Sequence, residues 1–175
     1  MQTDLNLITE VTDEATNFQA CAHLKIDDVY SQLRLEGKCG LEAVFALQKD
    51  IQTNVYNHDF DTYRKSNSEL LKFFNTQYHA IQDEFRELFA ALGGMSKYGI
   101  AFWKDWKAKH KDCMADSWDN LSRDDQFEAF YEFIDILHFF MNIAITIGLT
   151  PDLMVNMYFA KNLENRKRQL KPGGY

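Results

Sequence analysis

Only two prolines occur in 175 residues, Pro151 and Pro172, so the first 150 carry no proline break. No run of alternating β-branched residues appears either, and the two absences together point to an all-α chain. Positive charge is also scarce. With 19 Lys and Arg against 26 Asp and Glu, net −7 and a pI near 5.2, the surface lacks the cations that displace counterions from a nucleic acid, which argues against such a partner. No stretch reaches 18 uncharged apolar residues, so no membrane span is expected. The N-terminus, MQTDLNLITEVTDE, has no basic region followed by a long apolar core, so it does not read as a secretory signal. Three cysteines, Cys21, Cys39 and Cys113, are too few and too scattered for a disulfide framework, and they suit reduced thiols in a cytosol. Cys21 and His23 lack a second Cys/His pair at zinc spacing and read as buried side chains.

Hydrophobic residues are plentiful at 46%, and 14% are aromatic, enough for one domain with a sizeable core. The richest stretch runs from Asp124 to Gly148, DDQFEAFYEFIDILHFFMNIAITIG, about six turns of helix and apolar on nearly every side. Glu132 and Asp135 interrupt it one turn apart on a single face, and Phe139 and Asn142 continue that stripe. Acids among phenylalanines must either stay neutral or meet a cation. A second acidic pair, Glu84 and Glu87, sits at the same spacing in a helix whose apolar face is expected to run through Ile81, Phe85, Leu88 and Leu92. Packed side by side, the two helices would gather four carboxylates, an oxygen-only ligand set suited to Mg2+ or Mn2+. Taken singly, each pair is equally well read as a solvated helix face.

In chain order, residues 1–17 form a polar arm and 18–175 a single domain. A helix is expected over Cys21–Leu35, ended by the glycines at 37 and 40. The next helix places Leu41, Val44, Leu47, Ile51 and Val55 on a buried stripe bordered by Gln48 and Gln52, amides that either satisfy the core or read a base edge. Residues 57–67 read as a loop, with Asn67 or Ser68 capping a helix that ends at Gly93 and Gly94. A shorter helix presents Trp103, Trp106 and Lys107, for packing or for stacking on a base. Ser122 with Asp125 resembles a capping box, Gly148 a left-handed stop, and Thr150-Pro151 a helix start. On the last helix Tyr158, Lys161, Asn165 and Arg168 share a face. Its basic end, with Arg166, Lys167 and Lys171, complements the helix dipole or clamps phosphates. Residues 173–175 read as a tail.

In combination, DEFREL, WKDWK, the Glu132–Phe139 motif ExxDxxHF and YFAKNLENRKRQ with a terminal GY resemble the phage dCTP pyrophosphatases. That family lies in the all-α NTP pyrophosphatase superfamily with dimeric dUTPases and MazG-like enzymes. The resemblance implies a helical bundle with a four-helix core and Mg2+-dependent hydrolysis of dCTP, and of dUTP, to the monophosphate and pyrophosphate. It assigns Glu84, Glu87, Glu132 and Asp135 to the metal, with Glu87 and Glu84 also catalytic. Lys161, Asn162, Asn165 and Arg168 then contact phosphates and sugar, Lys161 and Arg168 stabilising the leaving group, and Tyr175 closes over the site. Gln48, Trp106 and Lys107 line the base pocket, where Gln52 stands in place of the asparagine usual in dimeric dUTPases. A homodimer acting in the host cytoplasm, without nucleic acid or membrane, is the implied setting. A strict dUTPase and a non-catalytic helical module that binds a partner protein are the alternatives.

Overall fold

Two long antiparallel-capable helices, each closed at its start by a serine, carry the architecture. The computed structural model describes residues 36, 37, 39–100 and 104–170. The arm at 1–17, the helix expected over Cys21–Leu35, the Cys21/His23 pair, Trp103, Lys171 and the tail with Tyr175 lie outside them. Seven α-helices follow one another among the described residues, with no strand: α1 (Gly40–Asp50), α2 (Phe60–Arg64), α3 (Asn67–Leu92), α4 (Met95–Tyr98), α5 (Ala108–Ala115), α6 (Arg123–Thr146) and α7 (Pro151–Gln169). The all-α reading holds. α3 and α6 make the most extensive contact, and α1, α2 and the start of α7 close over one end of the pair.

That end holds the aromatic core. Phe45, Phe60, Phe73, Met141, Ala144 and Ile145 pack together, with Leu41, Tyr63, Leu149 and Met154 partly buried against them. Phe73 is its hub, stacked on Tyr63 with ring centroids 4.6 Å apart and edge-on to Phe60 at 6.3 Å. Such pairs add about 0.5–1.5 kcal/mol each beyond simple burial.

Local capping chemistry sets most of the helix ends. Thr150 Oγ1 accepts from Leu153 N–H at 3.2 Å ahead of Pro151, and Gly148 adopts φ +80°, as expected from the sequence. Other boundaries differ. Ser66 caps α3 rather than Asn67 or Ser68, accepting from Glu69 N–H. The segment expected to be a loop contains α2, because Asp59 caps it by accepting from the N–H groups of Asp61 and Thr62 and Phe60 has a core site to fill. Trp106 and Lys107 precede α5 instead of lying on it, Lys107 being its N-cap. Ser122 does cap α6, but the Asp125 carboxylate does not complete a box. It accepts instead from Ser96 N–H and from the hydroxyls of Ser96 and Ser122, tying α4 to the start of α6.

Periodicity also misplaces some faces. On α1 the buried positions are Ala43, Phe45 and Gln48, while Val44, Leu47, Ile51 and Val55, expected in the core, face an open cavity. α1 then continues into a π-helical turn, Ile51–Val55. On α3 the buried stripe runs through Phe73, Gln77, Ile81 and Ala91, so Phe85 is 40% exposed and Glu84 takes the inward place. α6 is not buried all round: Phe130, Phe133 and Phe140 lie about half open. Contrary to the sequence reading, α6 is long and apolar enough by those measures to cross a membrane. Its inward face nevertheless carries Asp125, Glu132 and Asn142 against α3, as the central helix of a bundle does.

Candidate active site

α3 and α6 each turn one acid inward at their line of contact. Glu84 follows Ile81 on the α3 stripe, and Glu132 precedes Ile136 on α6 by one turn. With Glu87 they form a group in which one carboxylate oxygen from each lies within 4.8 Å of the others. Glu132 is 6% exposed, and its Oε2 has no hydrogen-bond partner. Burial pushes its carboxyl up to about 8, reinforced by a hydrogen bond shared with Glu84 and by the charges of Glu87 and Glu128. Burial also raises Glu84, as do the nearby charges of Asp135 and Glu87. Left to themselves, these acids bind a proton at neutral pH. An orphaned buried oxygen beside two more carboxylates is the donor set that a hard divalent cation satisfies, so the residues fit Mg2+ or Mn2+.

The fourth expected ligand stands apart. Asp135 is close enough to act on Glu84 through its charge, but its Oδ1 lies 3.4 Å from His138 Nδ1, and it falls outside the three-carboxylate group. One turn separates it from Glu132 on a face that curves away from α3, toward a cavity of about 860 Å³. That volume falls within the range of small-molecule sites.

One wall of the cavity is apolar, from Val44, Leu47, Ile51, Val55 and Tyr56; the other carries amides. Gln48, Gln52, Gln77 and Asn142 are all less than 10% exposed. Gln48 Nε2 donates to the His138 carbonyl at 3.3 Å and to Asn142 Oδ1 at 2.6 Å, and Asn142 Nδ2 donates to Gln77 Oε1 at 2.8 Å. Buried amides held this way present fixed donors and acceptors, which is what reading a ring edge requires.

No protein-family model and no solved structure matches the chain. Two curated proteins match over nearly their whole length. The dCTP pyrophosphatase of Enterobacteria phage LZ5 is 34% identical over 166 residues, 87% of this chain and 96% of that protein. The dCTP pyrophosphatase of Enterobacteria phage T4 is 31% identical over 165 residues, with the same coverage of 87% and 96%.

The chain belongs to the phage dCTP pyrophosphatase family.

A DNA replication protein of phage T4 is 30% identical over 158 residues, 83% of this chain but 40% of that longer protein. Family membership makes this a nucleotide hydrolase by class, and the carboxylates and the amide-lined cavity are the features to which such chemistry can be attached.

For a dCTP pyrophosphatase family member, the remaining residues singled out by sequence are more dispersed than expected. Gln48, Gln52 and Asn142 line the cavity, but Trp106 and Lys107 do not, and Trp106 is 68% exposed. α7 buries none of its residues. Tyr158, Lys161, Asn162 and Asn165 are exposed there, Arg168 Nε lies 3.1 Å from Glu164 Oε1, and none of the five lines the cavity. Two cavity residues, Gln77 and His138, had no role in the sequence reading. Gln77 was findable: it lies two turns before Glu84 on the same stripe.

Proposed function

We propose that the protein hydrolyses dCTP, and also dUTP, to the nucleoside monophosphate and pyrophosphate with Mg2+ as cofactor. What supports the reading best is the meeting of Glu84, Glu87 and Glu132 beside an amide-lined cavity in a chain of this family.

In this reading Glu132 and Glu84, short of partners inside the bundle, hold the cation with Glu87, and Asp135 completes the set. A bound divalent ion would neutralise triphosphate charge and acidify a water molecule. Glu87, exposed at the rim, orients the attacking water and takes its proton. Water adds across the α–β anhydride, the P–O–P bridge breaks, and pyrophosphate leaves with its charge met by Lys161 and Arg168. Gln48 and Gln52 contact the base. Because α7 holds its cations outside the cavity, we place the working form as a homodimer in which α7 and the half-open aromatic face of α6 meet a second copy.

The test is a panel of the common deoxynucleoside triphosphates incubated with Mg2+ and resolved by anion exchange. dCMP, dUMP and pyrophosphate are the expected products. Cleavage of dUTP alone would make the protein a strict dUTPase, and no cleavage of any nucleotide would leave it a binding module.

A further inference from the structure

We propose that Gln77 is a positioning residue for the base: through Asn142 it locks the cavity into one hydrogen-bonding polarity, an acceptor at Gln48 and a donor at Gln77. The inference rests on the nucleotide-hydrolase reading and deepens it.

The polarity follows from a single anchored atom. A backbone carbonyl only accepts, so the His138 carbonyl requires the NH2 end of Gln48 to face it. Both Nε2 hydrogens of Gln48 are then spent, one on His138 and one on Asn142 Oδ1. Asn142 must therefore turn Nδ2 the other way, and Gln77 must meet it with Oε1. Each amide in the relay fixes the next. Two atoms are left over at the ends: Gln48 Oε1, which can only accept, and Gln77 Nε2, which can only donate. Neither is a buried atom lacking a partner, and both residues line the cavity. Gln52, buried in the same wall, bonds to neither end and keeps a freely turning amide.

A pyrimidine meets such a pair with neighbouring donor and acceptor groups. Cytosine offers its 4-amino group to Gln48 and a ring nitrogen or carbonyl to Gln77. Uracil must use its N3–H for the acceptor and a carbonyl for the donor. The two bases thus place opposite demands on the position beside ring atom 3, where cytosine needs a donor and uracil can use an acceptor.

Gln77→Glu tests this. Its carboxylate still accepts from Asn142, so the relay persists, but its second oxygen faces the base as an acceptor. The expected result is a fall in kcat/KM for dCTP of about tenfold or more, carried by KM, with a smaller loss for dUTP, so that the dUTP/dCTP ratio rises. Gln48→Glu attacks the other end. Unable to donate to His138, it forces Asn142 and then Gln77 to turn over, and the ratio should rise in the same direction. Calorimetry with dCMP and dUMP reads that ratio without turnover, and melting curves report whether each variant is folded. Folded variants that keep the wild-type ratio by both measures would overturn the proposal; if Gln77→Glu does not fold, Gln48→Glu carries the comparison alone. Wild type that cleaves no nucleotide would instead overturn the hydrolase reading.

Discussion

Replacing Glu132 by Gln should make the metal-free protein more stable while ending its activity. In the fold the Glu132 carboxyl titrates at about 8 instead of 4.5. Once the unfolded chain ionises, the folded one must retain a proton at increasing cost, ~1.4 kcal/mol for each pH unit. This amounts to roughly 3 kcal/mol at pH 7 and reaches its limit, about 5 kcal/mol, above pH 8. The sign is fixed: the folded group holds its proton more tightly, so its contribution is fully present below pH 4.5 and is lost as pH rises through 8. Gln carries no charge at any pH and donates permanently to Glu84. Allowing for the burial of a second polar group, a gain of about 1–2 kcal/mol at pH 7 is expected, or ~2–8 °C in melting temperature. Thermal unfolding followed by circular dichroism at pH 5, 7 and 9 in EDTA should show the two proteins nearly alike at pH 5 and diverging upward. Adding Mg2+ should raise the wild-type midpoint and leave the variant almost unmoved, and dCTP hydrolysis by the variant should be close to background. A variant no more stable than wild type at pH 9, or one that Mg2+ stabilises equally, would refute the account of Glu132 as a buried acid waiting for a cation.

Three further expectations are simpler to measure. Lys161→Ala should weaken triphosphate binding about tenfold in calorimetry while deoxycytidine binding stays within twofold; equal losses would remove Lys161 from the phosphate site. Gly94→Ala should cost about 1–2 kcal/mol in urea unfolding, because φ is +68° and the added methyl would lie 3.2 Å from both Leu121 and Tyr98; an unchanged midpoint would contradict that packing. Asp116 accepts from Lys97 Nζ and Tyr98 O–H, which hold its carboxyl well below the usual range. Its contribution is therefore present above an ordinary carboxylate pKa and lost as pH falls, and Asp116→Asn should flatten the acid side of the stability profile. A variant that keeps the wild-type acid slope would show that the latch does not matter.

What the sequence revealed was what local chemistry decides. Thr150, Ser122 and Gly148 could be placed because a cap needs only its own few residues, and the acidic pairs because three positions on a helix always share a face. What depends on a neighbouring helix was less visible. Phe85 outranks Glu84 in hydrophobicity, yet α6 lies against the other side of the turn, so the acid goes in and the ring stays out. Asp125 matches a cap pattern, but α4, 29 residues earlier in the chain at Ser96, claims its carboxylate. Gln77 looks like any polar helix residue until Asn142 is set opposite it. The acids were legible as pairs, and their division into three that meet and one that turns to His138 was not.

The widened turn at Ile51–Val55 has a bearing on how this chain tolerates changes in length. Such a turn absorbs a surplus residue within an otherwise regular helix. Deleting one residue there would restore ordinary winding and rotate all that follows by about 100°, swinging Val55 and Tyr56 off the cavity wall while Gln48 stays put. Point substitutions along this stretch should therefore be absorbed more readily than the loss of a single codon.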